Sequence, residues 1–304
     1  MKKIIRLLFN GLGYDIVRKE NVFALKGGKK CRVKVWNYYI VMPSNNTLRR
    51  TYKIYPDFNS HLSRLSIHVY RKYPEMTIVD VGANVGDTIA VLRSVINAPI
   101  IAIEGDDISY EYLEENIRQF ENISTIKAFL SEKSQELNIR FENVGWNTTI
   151  IPANDGEKKI SFKTMDEIFS AEKFKDCNVK LIKIDVEGYD TNVLRGASSI
   201  IKKNHPILFF EYNPDIMKKI GENGLPTILS FRDYGYDRIA FFDYLGRLFI
   251  DTSLKNVREI ASLHDYAAYK NNLLGYYDIC IFHEQDESLA EAFLQAEKES
   301  TLKY

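Results

Sequence analysis

Thr77-Ile78-Val79-Asp80-Val81-Gly82-Ala83-Asn84-Val85-Gly86-Asp87 is the stretch that decides the fold. The apolar run up to Asp80 reads as a buried strand, two glycines four apart bracket a turn, and Thr88-Ile89-Ala90-Val91-Leu92 opens a helical pattern. In such a unit Gly82 lets the backbone approach a ligand without a Cβ in the way. The free N–H groups of the new helix point toward whatever sits above the strand. The stretch therefore predicts a ligand site.

The rest of the loop narrows the ligand. A dinucleotide loop needs G-x-G-x-x-G, whose middle glycine admits a pyrophosphate, and here Asn84 stands at that position with an acid before the first glycine. An acid at a strand end suits a cation and repels a pyrophosphate. Glu104 ends the next apolar run, Pro99 to Ile103, where a carboxylate can accept from both hydroxyls of a ribose. Together they favour S-adenosylmethionine over a nicotinamide cofactor.

Working outward, apolar runs alternate with helical patterns along most of the 304 residues, which predicts an α/β fold with a mostly parallel sheet covered by helices on both faces. A helix is expected from Ile108 to Phe120 behind the cap Gly105-Asp106-Asp107. One strand is expected from Ile123 to Leu130, ending at Ser131 near the place of an adenine. Leu137 to Phe141 reads as an edge strand, Gly145 to Thr149 as a loop, and Lys159 to Thr164 as a short strand. Lys180 to Asp185 and Ile207 to Glu211 are buried strands, separated by one helix that ends at His205-Pro206. Tyr236 to Phe242 with Leu248 to Ile250 forms a hairpin, Tyr277 to Phe282 a last strand, and Glu284 to Lys298 a closing helix.

Asp80, Glu104, Asp185, Glu187 and Glu211 all fall at strand ends, where ligands of open parallel sheets bind. So many carboxylates require cations or donors between them. Lys183 shares strand parity with Asp185 and, inside an apolar strand, needs a carboxylate partner. Methyl transfer to a hydroxyl calls for a base. Glu187 or Glu211 is expected in that role, with Asp185 or Lys183 orienting it. A divalent metal on Asp185, Glu187 and Glu211 is the less favoured alternative. His205 sits at the wrong strand edge for chemistry, and His61, His68 and His283 have no motif around them. His264 and the group Trp146, Asn147, Thr148 and Thr149 are candidates to reach a substrate, the latter by stacking on a sugar ring.

Net charge is zero, which implies no general attraction to nucleic acid. Residues 1–60 nevertheless carry 13 Lys and Arg against Asp15, Glu20 and Asp57, a net of +10 that the other residues offset. The bland reading is a basic solvated cap, and the sharper one is contact with an anionic membrane or a lipid-linked glycan. Met1 to Phe9 reads as a short basic amphipathic helix, and Val22 to Leu25, Arg32 to Val35 and Tyr38 to Val41 as small antiparallel strands. Cys31, Cys177 and Cys280 are isolated, as in reduced cytoplasmic proteins. No apolar run is long enough to span a bilayer.

Several of these segments, in order, resemble the FkbM family of S-adenosylmethionine-dependent methyltransferases: Val79 to Thr88, Ile103-Glu104, Leu113 to Ile117, Thr164 to Ile168, Ile182 to Asp190, Val193 to Ala197 and Pro206 to Glu211. The resemblance covers roughly Tyr55 to Phe282. It implies a class I methyltransferase fold, a Rossmann-like sheet of seven mostly parallel strands with an antiparallel hairpin at one edge, over 56–304; the first 50 residues lie outside it, and 1–55 read from their own sequence as a basic α+β extension. It further implies O-methylation of a sugar or natural-product hydroxyl. Its cofactor positions fall on Asp80, Gly82, Asn84, Gly86 and Glu104. Asp87, Ser131 and Asp185 complete the expected cofactor set, and no resident metal is expected. One departure is Gly105, where the family tends to have proline. The leading expectation is a saccharide acceptor in bacterial surface-glycan synthesis, with a small-molecule acceptor or a non-catalytic scaffold as alternatives.

Overall fold

The computed structural model describes residues 28–144, 147–153, 158–269 and 275–301. The expected N-terminal helix, the strand at Val22 to Leu25 and Trp146 lie outside these. An antiparallel hairpin comes first: β1 (Lys30–Val35) pairs with β2 (Tyr38–Pro43). Val35, Ile40 and Met42 pack with Tyr52, Val85, Ala90, Val91 and Tyr112, so the hairpin shares a core with the ligand-loop helix. Asn116 clamps it by accepting from the Val41 N–H at 2.8 Å and donating to the Val41 and Val85 carbonyls at 2.7 and 2.8 Å.

The central sheet is built from β3 (Thr77–Val81), β4 (Ile100–Glu104), β5 (Ile123–Lys127), β10 (Val179–Ile184), β11 (Ile207–Tyr212), β12 (Tyr236–Phe242), β13 (Leu248–Ser253) and β14 (Tyr277–His283). Its order is β13-β12-β14-β11-β10-β3-β4-β5. From β5 to β11 neighbours run parallel, and β14 inserts antiparallel between β11 and β12. The sheet thus has eight strands where seven were expected, because the outer arm of the edge hairpin, β13, joins it. Alternation divides each strand between two cores. Val79, Ile101, Ile182 and Leu208 face the helices around Val193, Ile201 and Ile228. Ile78, Ile100, Leu181, Ile207 and Cys280 face the helices Ser60–Lys72 and Glu287–Thr301 through Leu62, Leu65, Val69, Phe293 and Leu294.

Four expectations change. The strand expected from Ile123 to Leu130 breaks at Ala128. Its tail, β6 (Phe129–Leu130), leaves for a second sheet of order β6-β9-β7-β8, with β7 at Gln135–Val144, β8 at Asn147–Pro152 and β9 at Lys158–Lys163. Leu137 to Phe141 is therefore not an edge of the main sheet, and Asn147 to Thr149, expected in a loop, begin a strand. The single helix expected after Gly188 is two, Asp190–Arg195 and Ser198–Asn204, divided where Gly196 packs against the Ser131 carbonyl too closely for any Cβ.

Candidate active site

A cleft of about 310 Å³ opens above the carboxyl ends of the parallel strands, within the size range of small-molecule sites. One wall is the ligand loop. Gly82 has φ +76°, and a Cβ there would overlap the Asp185 carbonyl oxygen, so the first glycine is required by the approach of the next loop. Asn84 has φ +48°, a conformation asparagine tolerates, and its N–H donates to Glu104 Oε2 at 2.8 Å. Glu104 Oε1 accepts from the Asp106 N–H at 2.7 Å. A carboxylate held and aimed in this way accepts at both oxygens, which suits a diol. Asp106 caps the helix Asp107–Asn116 through the Ser109 N–H. Beside Glu104, Ile103, Ala128, Phe129 and Leu130 supply an apolar slot, and Gly105 lies so close to the Phe129 ring that any side chain would overlap it.

The opposite wall is acidic. Register places Asp80 beside Lys183, and the Lys183 ammonium lies 3.1 Å from Asp80 Oδ1 and 3.6 Å from Asp185 Oδ2. Burial alone would lower Lys183, but the Asp80, Asp185 and Asp87 carboxylates outweigh it and hold the ammonium protonated well above its usual range. One step further along the strands, Glu211 stands directly opposite Asp278. Burial, then the charges of Asp185, Glu187, Asp190 and Asp278, push Glu211 well above the ordinary carboxylate range.

A sequence profile for the methyltransferase FkbM domain matches residues 80–238. The chain belongs to the FkbM methyltransferase family. It is by family a methyltransferase whose methyl donor is S-adenosylmethionine, and the sheet is the class I Rossmann-like kind. Among solved structures, it aligns with the FkbM methyltransferase of Methylobacillus flagellatus KT at 20% identity and a TM-score of 0.34, over 45% of this chain and 33% of that one. It aligns with the precorrin-6y C5,15-methyltransferase of Geobacter metallireducens GS-15 at 10% identity and a TM-score of 0.37, over 73% and 88%. The N-terminal domain of human METTL16, solved in complex with SAH, aligns at 9% identity and a TM-score of 0.34, over 68% and 61%. No curated protein matches.

Of the residues expected to hold the donor in this FkbM chain, Gly82, Asn84, Asp87, Glu104 and Asp185 line the cleft, and Asp80, Gly86 and Ser131 do not. Asp80 is completely buried beneath the wall, where burial pushes its carboxyl up and Lys183 pulls it back. Gly86 faces Leu113 at the helix start, with φ +83°. Ser131 is carried off by the break at Ala128, and its N–H donates to the Lys163 carbonyl. Asp87 accepts from the Tyr52 hydroxyl at 2.9 Å, and burial pushes its carboxyl up to about 6. The expected chemical residues, Lys183, Asp185, Glu187 and Glu211, all reach the cleft. Glu187 adopts φ +53° in the tight turn after β10. That turn is held by Asp190, whose oxygens accept from the Val186 and Gly188 N–H groups at 3.2 Å, and burial pushes Asp190 up to about 7.

Sequence reasoning missed Asp278, Tyr276 and the contribution of the second sheet, whose Phe141, Ile150 and Phe162 complete the cleft with Tyr189. It also missed His61, whose Nε2 bonds Asp278 Oδ2 at 2.9 Å. The only available signal was an acid, Asp278, inside an otherwise apolar strand. His264 bonds the Tyr212 hydroxyl at 2.6 Å and is not part of the cleft wall. Among the described residues no group of His, Cys, Asp and Glu is arranged to hold a metal ion.

Proposed function

We propose that this FkbM protein methylates a hydroxyl of a saccharide, in bacterial surface-glycan synthesis. The observation that carries this reading is the division of the cleft into a Glu104 end suited to a ribose and an end lined by Asp185, Glu187, Glu211 and Asp278. Carboxylates are the acceptors that a ring of hydroxyl donors needs, and an alcohol becomes a nucleophile only as its proton leaves.

The residues present fit the donor. Glu104 would accept from the ribose hydroxyls, the Ala128, Phe129 and Leu130 slot would take the base, and the acids around Lys183 and Asp185 match a cationic ligand. Bound there, S-adenosylmethionine supplies a methyl group already activated by its sulfonium. The protein's work is then positioning and proton removal. Lys183 holds Asp185 in place, and the apolar residues of the second sheet exclude water from one side. The basic residues among 1–60 are proposed to meet an anionic membrane or a lipid-linked glycan from the cytoplasmic side. Among the described residues no helix is long and apolar enough to cross a membrane.

The test incubates the protein with methyl-labelled donor and a panel of methyl glycosides and small phenolic alcohols, with calorimetric titration of NAD as a control. Label in a glycoside hydroxyl is expected. Transfer to the phenols alone would replace the saccharide reading, and binding of NAD without the methyl donor would remove the whole proposal.

A further inference from the structure

The pairing of β11 with β14 puts two carboxyls face to face, and the environments of the two differ. Glu211 and Asp278 are Cα partners in an antiparallel ladder, both side chains leave the same face, and both line the cleft. Like charges directly opposite in a ladder are unfavourable, and two such carboxyls relieve the repulsion by keeping one proton between them. His61 decides where that proton goes. It lies at the start of the helix Ser60–Lys72, is 2% exposed, and is packed between Phe209 and Phe242 with ring centroids at 5.2 and 5.3 Å. Its Nδ1 has no partner among the described residues and faces Gly246, so the ring proton sits on Nε2 and is donated to Asp278 Oδ2. A hydrogen bond to the charged form favours it. Burial raises the Asp278 carboxyl and the His61 hydrogen bond pulls it back, whereas burial and the charges of Asp185, Glu187 and Asp190 all push Glu211 up, so of the two it is Glu211 that takes the proton.

Resting on the saccharide reading above, we propose that Asp278 is the base for the acceptor hydroxyl, that His61 is its positioning residue, and that Glu211 is a protonated donor to the acceptor rather than the base. Asp278 Oδ2 is committed to His61, and Oδ1 takes the hydroxyl proton. The hydroxyl oxygen forms the new C–O bond as the methyl–sulfur bond breaks, its electron pair returning to sulfur. The proton then passes from Asp278 to solvent. Opposed environments that separate two carboxyls into an acid and a base are a general device of active sites. The groups facing the pair are Asp185, Glu187, Asp190 and Lys183 from the neighbouring strand end and its turn, Tyr276 beside β14, and His61 from the covering helix.

The test combines infrared spectra of the full chain at neutral pH with kinetics of the labelled transfer. Beside the absorption of Asp190, a second protonated-carboxyl component is expected that is lost in Glu211→Gln and kept in Glu187→Gln. In Asp278→Asn it is lost at a lower pH than in the wild type, because the opposing charge has gone. A spectrum unchanged by Glu211→Gln overturns the proton assignment. In transfer, Asp278→Asn should lower kcat by about 10²–10⁴-fold with donor affinity preserved. His61→Gln should move the acid limb of kcat to higher pH, a shift that a packing role would not produce. Wild-type kcat in Asp278→Asn overturns the base assignment. Failure of the wild type to bind donor removes the function proposed above and leaves the infrared result to decide the carboxyl pair.

Discussion

The two ends of the cleft are built by opposite strategies. At the Glu104 end every polar group is fixed by a near neighbour: Glu104 by the Asn84 and Asp106 N–H groups, and Asp106 by the Ser109 N–H. At the other end Glu211 and Asp278 face each other across a ladder, and the His61 hydrogen bond to Asp278 helps break their equivalence. The first arrangement is complete before a ligand arrives, as a site that receives one invariant cofactor can be. The second holds like charges in proximity, a cost retained where proton transfer is needed. The Asp80–Lys183 pair lies between them and underpins both.

That pair gives the largest expected effect. Asp80→Ala leaves Lys183 buried beside fewer carboxylates, and breaking a buried pair in this way costs about 3–5 kcal/mol. Urea denaturation should show a lower midpoint at unchanged slope, and donor titration a loss of binding. A variant of wild-type stability would mean that the two ends do not share this support. Next comes Gly105→Ala, which forces a Cβ into the Phe129 ring. Overpacking of this kind costs about 1–3 kcal/mol. It should weaken donor affinity while sparing the acidic end, and Phe129→Ala in the same chain should recover part of the loss.

A smaller effect concerns pH. Asp190 is held up to about 7 in the folded chain against 3.8 as a free carboxyl, so the folded state binds more protons between those values and stability falls as pH rises through that window. Asp190→Asn removes this contribution. Its unfolding free energy, measured across the window, should decline less with pH than that of the wild type, and an identical slope would show that Asp190 is already ionised.

The same contrast governs how much was legible in the sequence. The polar groups of the Glu104 end lie within 77–109, where strand alternation, turn glycines and capping residues are local signals, and Asn84, Glu104 and Asp106 line the cleft. Lys183 also announced itself, since a lysine in an apolar strand must find a carboxylate. The register that makes Asp80 that partner belongs to the sheet and not to either strand. The pairing of Asp278 with His61 was hidden because the two meet across 217 positions and neither stands in a motif. The break at Ala128 was hidden for a related reason. Ile123 to Leu130 holds no Gly or Pro to mark a break, and what turns Phe129 away is its packing on Gly105 and the pairing of β6 with β9. Ser131 was misplaced for that reason alone.

The methyl donor is proposed to be held from the Glu104 end, with no part in its binding for the Glu211–Asp278 pair. Calorimetric titration of S-adenosylmethionine and S-adenosylhomocysteine into the wild type, Glu104→Gln and Asp278→Asn tests it most directly. Binding in the micromolar range is predicted for the wild type and Asp278→Asn. In Glu104→Gln it should weaken by about 1.5–3 kcal/mol, the worth of hydrogen bonds to a charged group. Equal loss in both variants, or full affinity in Glu104→Gln, would contradict the division of the cleft.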